Sequence, residues 1–435
     1  MKINKAYKFR LSPNAEQVVI LTSLVDSARF VWNEMLALSL EMFAKNEFIN
    51  AINLVNKIVG LKNNPEFAFL KSRSNAVSLQ QKVRDLASAW SRFFDPKVHA
   101  RFKESKKKPR KPKFVKLLDG TEIQHRPLMP QFKRKADRCD SMRLVQFDKY
   151  CRVEGNRVKL PNGVGFVKFR KSQEIVGIIK NVTISKKSGQ WYVSFGTERE
   201  LLQNPIHPSK SSLGVDLGIT KLITTSENKT IKPKNSFKAN QVKLAKLQRQ
   251  LSRKVLFSQN WKKHNHKIQK LHSHIANIRH DYLHKVTTTI SKNHAMIVVE
   301  DLKIANMSRS ASGTMENKGR NVRAKSGLNK SILDQGWGMM IDMLGYKQHW
   351  RGGLVIKVNP NYTSQTCFNC KHVAKENRRT QAKFECVKCM YVANADFNAA
   401  CNILSAGHAV LSAEGGCGKG RPMIQKTCDS REEVA

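Results

Sequence analysis

Hydrophobic and polar positions alternate at the start of the chain. Tyr7, Phe9 and Leu11 fall on one side and Lys8 and Arg10 on the other, which predicts a half-buried strand over 5–11 with a basic outer face. Ser12 and Pro13 read as the N-cap and first position of a helix that Val18, Leu21, Val25, Ala28 and Trp32 continue. Helical patterning persists to about residue 95 and ends in a stripe of Leu79, Val83, Leu86 and Trp90. The segment 101–113 breaks it: mostly cationic and held extended by Pro109 and Pro112, it reads as a stretch that tracks phosphates. Between 140 and 200 come short strands, 143–147, 157–161, 165–169 and 191–195, separated by Gly and Pro turns. With the first strand they suggest a small β-barrel split in sequence by the helical insert.

Beyond about residue 205 the pattern becomes α/β. Residues 213–218 form a strand ending in a Gly turn, and 236–290 form a helical hairpin that breaks near Ser258-Gln259-Asn260. Residues 295–300 read as a buried strand. The stretch 305–330 is poor in apolar residues and is expected to be a mobile loop acting as a lid. Residues 332–349 are then helical and 353–358 extended. The tail beyond 406 is expected to be disordered.

Charge narrows the function. Lys and Arg number 78 against 33 acids, a net charge of +45 over 435 residues. Self-repulsion of this size is relieved when a polyanion is bound, and the cations are spread along the chain rather than gathered in a tail, so nucleic acid is the expected partner. No apolar run approaches the length of a membrane span, and the basic N-terminus leads into the alternating strand rather than a signal core. A cytoplasmic, nucleoid-associated protein with no membrane partner is expected.

Four of the nine cysteines, Cys367, Cys370, Cys386 and Cys389, form two C-x2-C knuckles fifteen residues apart. This is zinc-ribbon spacing, because each knuckle aims two thiolates at one ion and two knuckles complete a tetrahedron. The other five are scattered, which fits a reducing compartment. Asp396 follows Cys389 by seven residues. Asp216 lies in one apolar strand and Glu300 ends another, where an unpaired carboxylate would be heavily penalised. Three convergent carboxylates suit hard divalent cations: two Mg2+ ions, or Mn2+, able to hold the attacking water and the leaving oxygen of a phosphodiester. Six of the 13 histidines lie between 264 and 284, and His280 and His284 read as a polar face rather than a metal pair.

The segments Gly214-Val215-Asp216-Leu217-Gly218, Val299-Glu300-Asp301-Leu302, Tyr362-Thr363-Ser364-Gln365-Thr366-Cys367 and Asp396-Phe397-Asn398-Ala399-Ala400-Cys401-Asn402-Ile403 resemble the RuvC-type nuclease motifs of the TnpB family. These are transposon-encoded RNA-guided endonucleases related to type V CRISPR effectors. Residues 5–13, 28–33, 279–285 and 334–338 extend the likeness over nearly the whole chain. It implies an α/β multidomain fold: a wedge β-barrel (1–12 and 101–200), a helical recognition lobe (13–100), an RNase H-like (RuvC) nuclease domain (205–361 and 392–405), a zinc-ribbon insertion (362–391) and the tail (406–435). It makes Asp216, Glu300 and Asp396 the catalytic magnesium ligands and the four cysteines the ligands of one structural zinc.

The implied partners are a guide RNA made from the transposon end and target double-stranded DNA, cut beside a short flanking motif, with one protein per RNA. Two departures stand out: Met390 where the family usually has Gly, and Ala395 where it often has Arg, which leaves Arg378 or Arg379 to supply the cation. Candidate motif readers are Asn75, Gln80 and Gln81 on the amphipathic helix and Arg143 and Gln146 on the barrel strand; Lys106, Lys107, Lys108 and Arg110 are candidate phosphate contacts. The competing readings are an RNA-guided repressor that binds without cutting and a DNA transposase.

Overall fold

A computed structural model describes residues 2–98 apart from Phe48 and Arg73, then 113–134 apart from 118–119, 140–200, 205–313 and 317–415. The chain divides into two compact units, residues 2–200 and the remainder. Among the described residues, no helix is long and apolar enough to cross a membrane.

The first unit is built on β1 (Lys2–Ser12), whose Tyr7, Phe9 and Leu11 are buried as the alternation requires. Helix α1 (Ala15–Ala44) starts later than Ser12-Pro13 suggests. Its cap is Asn14, which accepts from the Gln17 amide while the Gln17 side chain returns a bond to the Asn14 N–H. That reciprocal box satisfies two orphan donors at once, which Ser12 could not do from two residues upstream. Then come α2 (Ala51–Asn63), the short α3 (Phe69–Ser72) and α4 (Ala76–Phe94), whose Leu79, Val83, Leu86 and Trp90 are fully buried.

A two-stranded ribbon follows, β2 (Lys113–Lys116) with β3 (Glu122–His125). Next are β4 (Asp140–Val145), the short α5 (Phe147–Tyr150), β5 (Arg152–Glu154), β6 (Arg157–Leu160), β7 (Gly165–Phe169), β8 (Ile178–Lys187) and β9 (Gln190–Glu200). Where the sequence suggests a barrel, these strands and β1 form a seven-stranded antiparallel sheet in the order β4-β8-β9-β1-β7-β6-β5. The strand expected to run through Gln146 and Phe147 stops at Val145, because Gln146 turns to a φ of 62° and starts α5.

The second unit holds a five-stranded sheet. Its strands are β10 (Ser212–Leu217), β11 (Ile223–Thr225), β12 (Thr230–Ile231), β13 (Met296–Glu300) and β14 (Leu354–Val358), ordered β12-β11-β10-β13-β14. The first three form an antiparallel meander; β13 and β14 extend it in parallel. Helices α6 (Ser236–Ser252) and α7 (Gln259–Asn293) make the expected hairpin, broken where the sequence indicates.

Helices occupy both ends of the expected loop 305–330. It begins within the short α8 (Ile304–Met307) and ends in α9 (Val322–Gln335), whose exposed surface hides the weak stripe of Leu328 and Ile332. Helix α10 (Trp337–Arg351) leads to β14. The final helix α11 (Ala395–Gly415) corrects a second expectation. Residues 406–415, assigned to a disordered tail, continue it, with Ala406 and Leu411 packed beside Ile403; residues 416–435 lie outside the described residues.

Asp334 illustrates how α9 supports the hairpin. Asn235, ahead of α6, makes no side-chain cap bond. Buried Asp334 instead accepts from the backbone N–H groups of Phe237 and Lys238 at 2.9–3.1 Å and pairs with Arg279 of α7 at 3.1 Å. It therefore ties three helices by charge-assisted bonds at a positive helix end. Asp334→Ala is expected to cost about 3 kcal/mol, read as a lower urea midpoint, because Arg279 and the two amides lose their common acceptor.

Candidate active site and zinc ribbon

Strands β10 and β13 run parallel with Val215 opposite Val299, so the next residues, Asp216 and Glu300, are neighbours at the C-terminal ends of adjacent strands. This end of an open α/β sheet is where such folds place their ligand sites. Asp396 arrives from the first turn of α11, where the Asn394 side-chain oxygen accepts from the N–H groups of Asp396 and Phe397. Two glycines let that helix lie close to the sheet. A Cβ on Gly214 would stand 2.2 Å from the Ala400 carbonyl oxygen, and one on Gly407 would stand 2.4 Å from Val298. Both distances are too short for real atoms.

The three acids share one electrostatic environment. Burial first, then the charges of Glu300 and Asp396, push the Asp216 carboxyl up from 3.8 to about 7, against a partial offset from Arg378 and the Leu217 N–H. Burial also raises Glu300, and a 2.6 Å bond donated by the Thr363 hydroxyl to Glu300 Oε1 counters it. Lys221 Nζ stands 3.2 Å from Asp396 Oδ2, and an Arg378 guanidinium nitrogen 3.9 Å from Oδ1. Of the two candidate arginines, Arg378 is thus the one beside Asp396, whereas Arg379 faces Glu385 at 3.7 Å.

The ribbon cysteines meet as their spacing predicts. All four sulfurs lie within 4.8 Å of one another, the one such metal-ligating cluster among the described residues. Cys367 and Cys389 are 3.6 Å apart and Cys370 and Cys386 3.5 Å. A tetrahedron with zinc–sulfur bonds of about 2.3 Å needs sulfurs about 3.8 Å apart, so the cluster fits zinc. The knuckles are alike: the Lys371 N–H returns to the Cys367 carbonyl, and the Met390 N–H to that of Cys386. Lys371 and Met390 both adopt positive φ, 60° and 58°. That conformation explains why glycine suits the second site, and Met390 keeps the turn despite its Cβ. Without an ion the Tyr391 N–H lowers the Cys389 thiol while burial raises that of Cys367, so the four thiols do not ionise alike until a cation joins them.

Asparagines couple the ribbon to the acids. Asn402 of α11 donates to the carbonyls of Thr363 and Thr366, and Asn398 donates to Thr366 and accepts from the Phe368 N–H. Fully buried Asn377 ties Gln365 and His372 to Val387, across both knuckles. Thr363 therefore reaches Glu300 from a segment pinned to the helix that carries Asp396. Thr363, Asn398 and Asn402 lie within quoted motifs, yet only their contacts reveal a role; Lys221 carries no signal in the sequence.

The candidate motif readers fare unevenly. Buried Asn75 caps α4 through Ser78 and donates to Asn162 at 2.9 Å, so its polar atoms are already engaged. Arg143 is paired with Asp85 of α4. Gln80 and Gln146 are exposed, and Gln81 bonds Asp85 within its own helix. Lys106, Lys107, Lys108 and Arg110 lie outside the described residues. His280 and His284 sit with ring centroids 4.4 Å apart, and burial, His280 and Lys347 push His284 down to about 4. Among the described residues no third ligand joins them.

Family models match three parts of the chain: a "Probable transposase" family, OrfB_IS605, over 193–311; a "Cas12f1-like, TNB domain" over 337–403; and a "Helix-turn-helix domain" over 1–47, which here is one strand and one long helix. A relative from Escherichia coli K12, named "Putative RNA-guided DNA endonuclease InsQ", is 46% identical over 100% of both chains. Another from Streptomyces pristinaespiralis, named "Putative RNA-guided DNA endonuclease", is 27% identical over 100% of this chain and 96% of its own. Among solved structures, the mini-RNA-guided endonuclease CRISPR-Cas_phi3 matches with a TM-score of 0.43 and 13% identity, covering 93% of this chain and 92% of that one. With end-to-end identity at that level to the first relative, the chain belongs to the OrfB/TnpB family.

Proposed function

We propose that the chain is a transposon-encoded, RNA-guided endonuclease that cuts double-stranded DNA beside a short flanking motif. The observation that carries this reading is the convergence of Asp216, Glu300 and Asp396 at one sheet end, where the charges of Glu300 and Asp396 raise the cost of ionising buried Asp216 unless a cation joins them. Oxygen-only donors of this kind fit Mg2+ or Mn2+. Asp216, Glu300 and Asp396 would hold two such ions, which supply Lewis-acid stabilisation of the attacking and leaving oxygens.

The chain's own residues do the rest. Thr363 fixes the rotamer of Glu300 through its hydroxyl, Asn402 holds the Thr363 carbonyl, and Asn398 holds Thr366 and Phe368 beyond it. Arg378 and Lys221 bring positive charge to the edge where a phosphodiester would lie. The two-unit division supports a nuclease lobe, with the zinc ribbon inserted, apart from a wedge and recognition lobe. Within the nuclease lobe, the meander extended by two parallel strands supports the RNase H-like reading. Guide RNA would supply sequence by pairing, and the protein would read the flanking motif, with Gln80 the exposed candidate on α4. We place the protein in the cytoplasm at the nucleoid, one per RNA.

The test is to purify the chain, sequence any RNA that accompanies it, and challenge the complex with a randomised-flank plasmid library and Mg2+. Guided cutting beside one motif is expected. A protein that purifies free of RNA and still cuts would overturn the guided reading in favour of transposase-type chemistry.

A further inference from the structure

The hairpin of α6 and α7 carries a feature the nuclease reading leaves unused. Its seam is closed by Leu244, Ile268, Leu271 and Ile275, with Leu247 and Leu251 packed against them. Beyond Leu251 the turn continues apolar but faces outward: Val255, Leu256 and Phe257 are 78%, 62% and 66% exposed. Phe257 adopts a φ of 63°, a conformation that asparagine or glycine takes readily and a bulky aromatic takes rarely. A residue needed only to make the turn would not be phenylalanine. The ring leans edge-on against Trp261, centroids 5.5 Å apart, so one face is steadied while the rest meets solvent.

The surroundings are wholly cationic. From Ser236 to His280 the chain has eleven Lys and Arg and no Asp or Glu. Arg249, Arg253, Lys254, Lys262 and Lys263 flank the turn. Exposed apolar surface alone would suit a protein partner, but this charge selects a polyanion, and an exposed aromatic ring within it selects an unpaired base. Duplex DNA buries its base faces, so the occupant is single-stranded. The helix enters the sheet's core at Leu283, 24 residues from its start, so the tip stands about 36 Å out along the axis. On the nuclease reading the cut DNA strands would lie at the acids, so a platform this far from the sheet's core suits an unpaired loop of a folded RNA better.

We propose that Phe257, steadied by Trp261 and ringed by these cations, is a stacking platform for an unpaired nucleotide of the bound RNA. This rests on the RNA-guided reading. The test irradiates the purified ribonucleoprotein with ultraviolet light, digests it with nuclease and trypsin, and examines the peptide 255–262 by mass spectrometry, with and without target DNA. A ribonucleotide adduct on that peptide is expected. Phe257→Asn, which suits the left-handed turn, should bind the same RNA roughly five- to a hundredfold more weakly, and Phe257→Tyr should restore binding. An RNA-loaded protein with no adduct, with only a deoxyribonucleotide adduct, or with unchanged affinity in Phe257→Asn overturns the platform while leaving guided cleavage standing. A protein that purifies free of RNA overturns both.

Discussion

Asp216→Asn is expected to lower cleavage by roughly a thousandfold or more while leaving nucleic-acid binding intact, and to stabilise the metal-free fold above neutral pH. Both effects come from the same crowding. Asp216 is buried beside two further carboxylates, which together with burial push it up to about 7. Its folded-state pKa therefore exceeds its unfolded value, so its contribution to stability is fully present below about pH 4 and is lost as pH rises to about 7. In the metal-free protein at pH 8 the charged triad is a cost on the order of a few kcal/mol, which asparagine removes without changing shape. Thermal melts with chelator at pH 5 and pH 8 check this: the variant should melt above the parent at pH 8, by clearly more than at pH 5. Added Mg2+ should stabilise the parent far more than the variant. A variant that cuts normally, or that loses nucleic-acid binding along with cleavage, would make Asp216 a structural acid.

That Asp216 and Glu300 share one sheet end was legible in the sequence because each lies in an apolar strand, where a carboxylate is costly. Asp216 lies in one such strand and Glu300 ends the other, and the residues around them need no tertiary information to be read as β. The cysteines were legible for a related reason: a C-x2-C knuckle is local geometry, so spacing alone places the sulfurs. What escaped depends on partners far away in sequence. Arg143 offers the right chemistry for reading a base, yet Asp85, 58 residues earlier, claims it. Asn75 looks like a free amide until helix α4 starts one residue later and needs a cap. Thr363 gives no sign that it donates to Glu300, 63 residues away. The run 406–415 reads as tail because it shows no periodicity, whereas Gly407 is the residue that lets α11 pass over Val298. Lys221, on the turn between two meander strands, becomes part of the site only once α11 brings Asp396 to it.

Cys386→Ser, or stripping the metal with a strong chelator, is expected to cost at least about a hundredfold in cleavage although no cysteine touches the acids. The route is mechanical. Cys367 and Cys386 are fully buried, and with Phe384 and Ala395 they form the ribbon's own small core. That core is too small to fold unaided, so a structural ion contributes most of its stability. When it loosens, the segment 363–368 loses its hold on Asn398 and Asn402, Thr363 leaves Glu300, and Arg378 leaves the neighbourhood of Asp396. Asp396 itself follows directly from ribbon strand β16 (Val392–Asn394), which pairs with β15 (Lys383–Glu385), so its approach to Asp216 relaxes too. Elemental analysis should find one zinc per chain in the parent and none in the variant. Hydrogen exchange should rise over 362–394 and the first turns of α11, while β10 and β13 stay protected. Full cleavage by zinc-free protein would uncouple the ribbon from the acids and leave it a separate binding module.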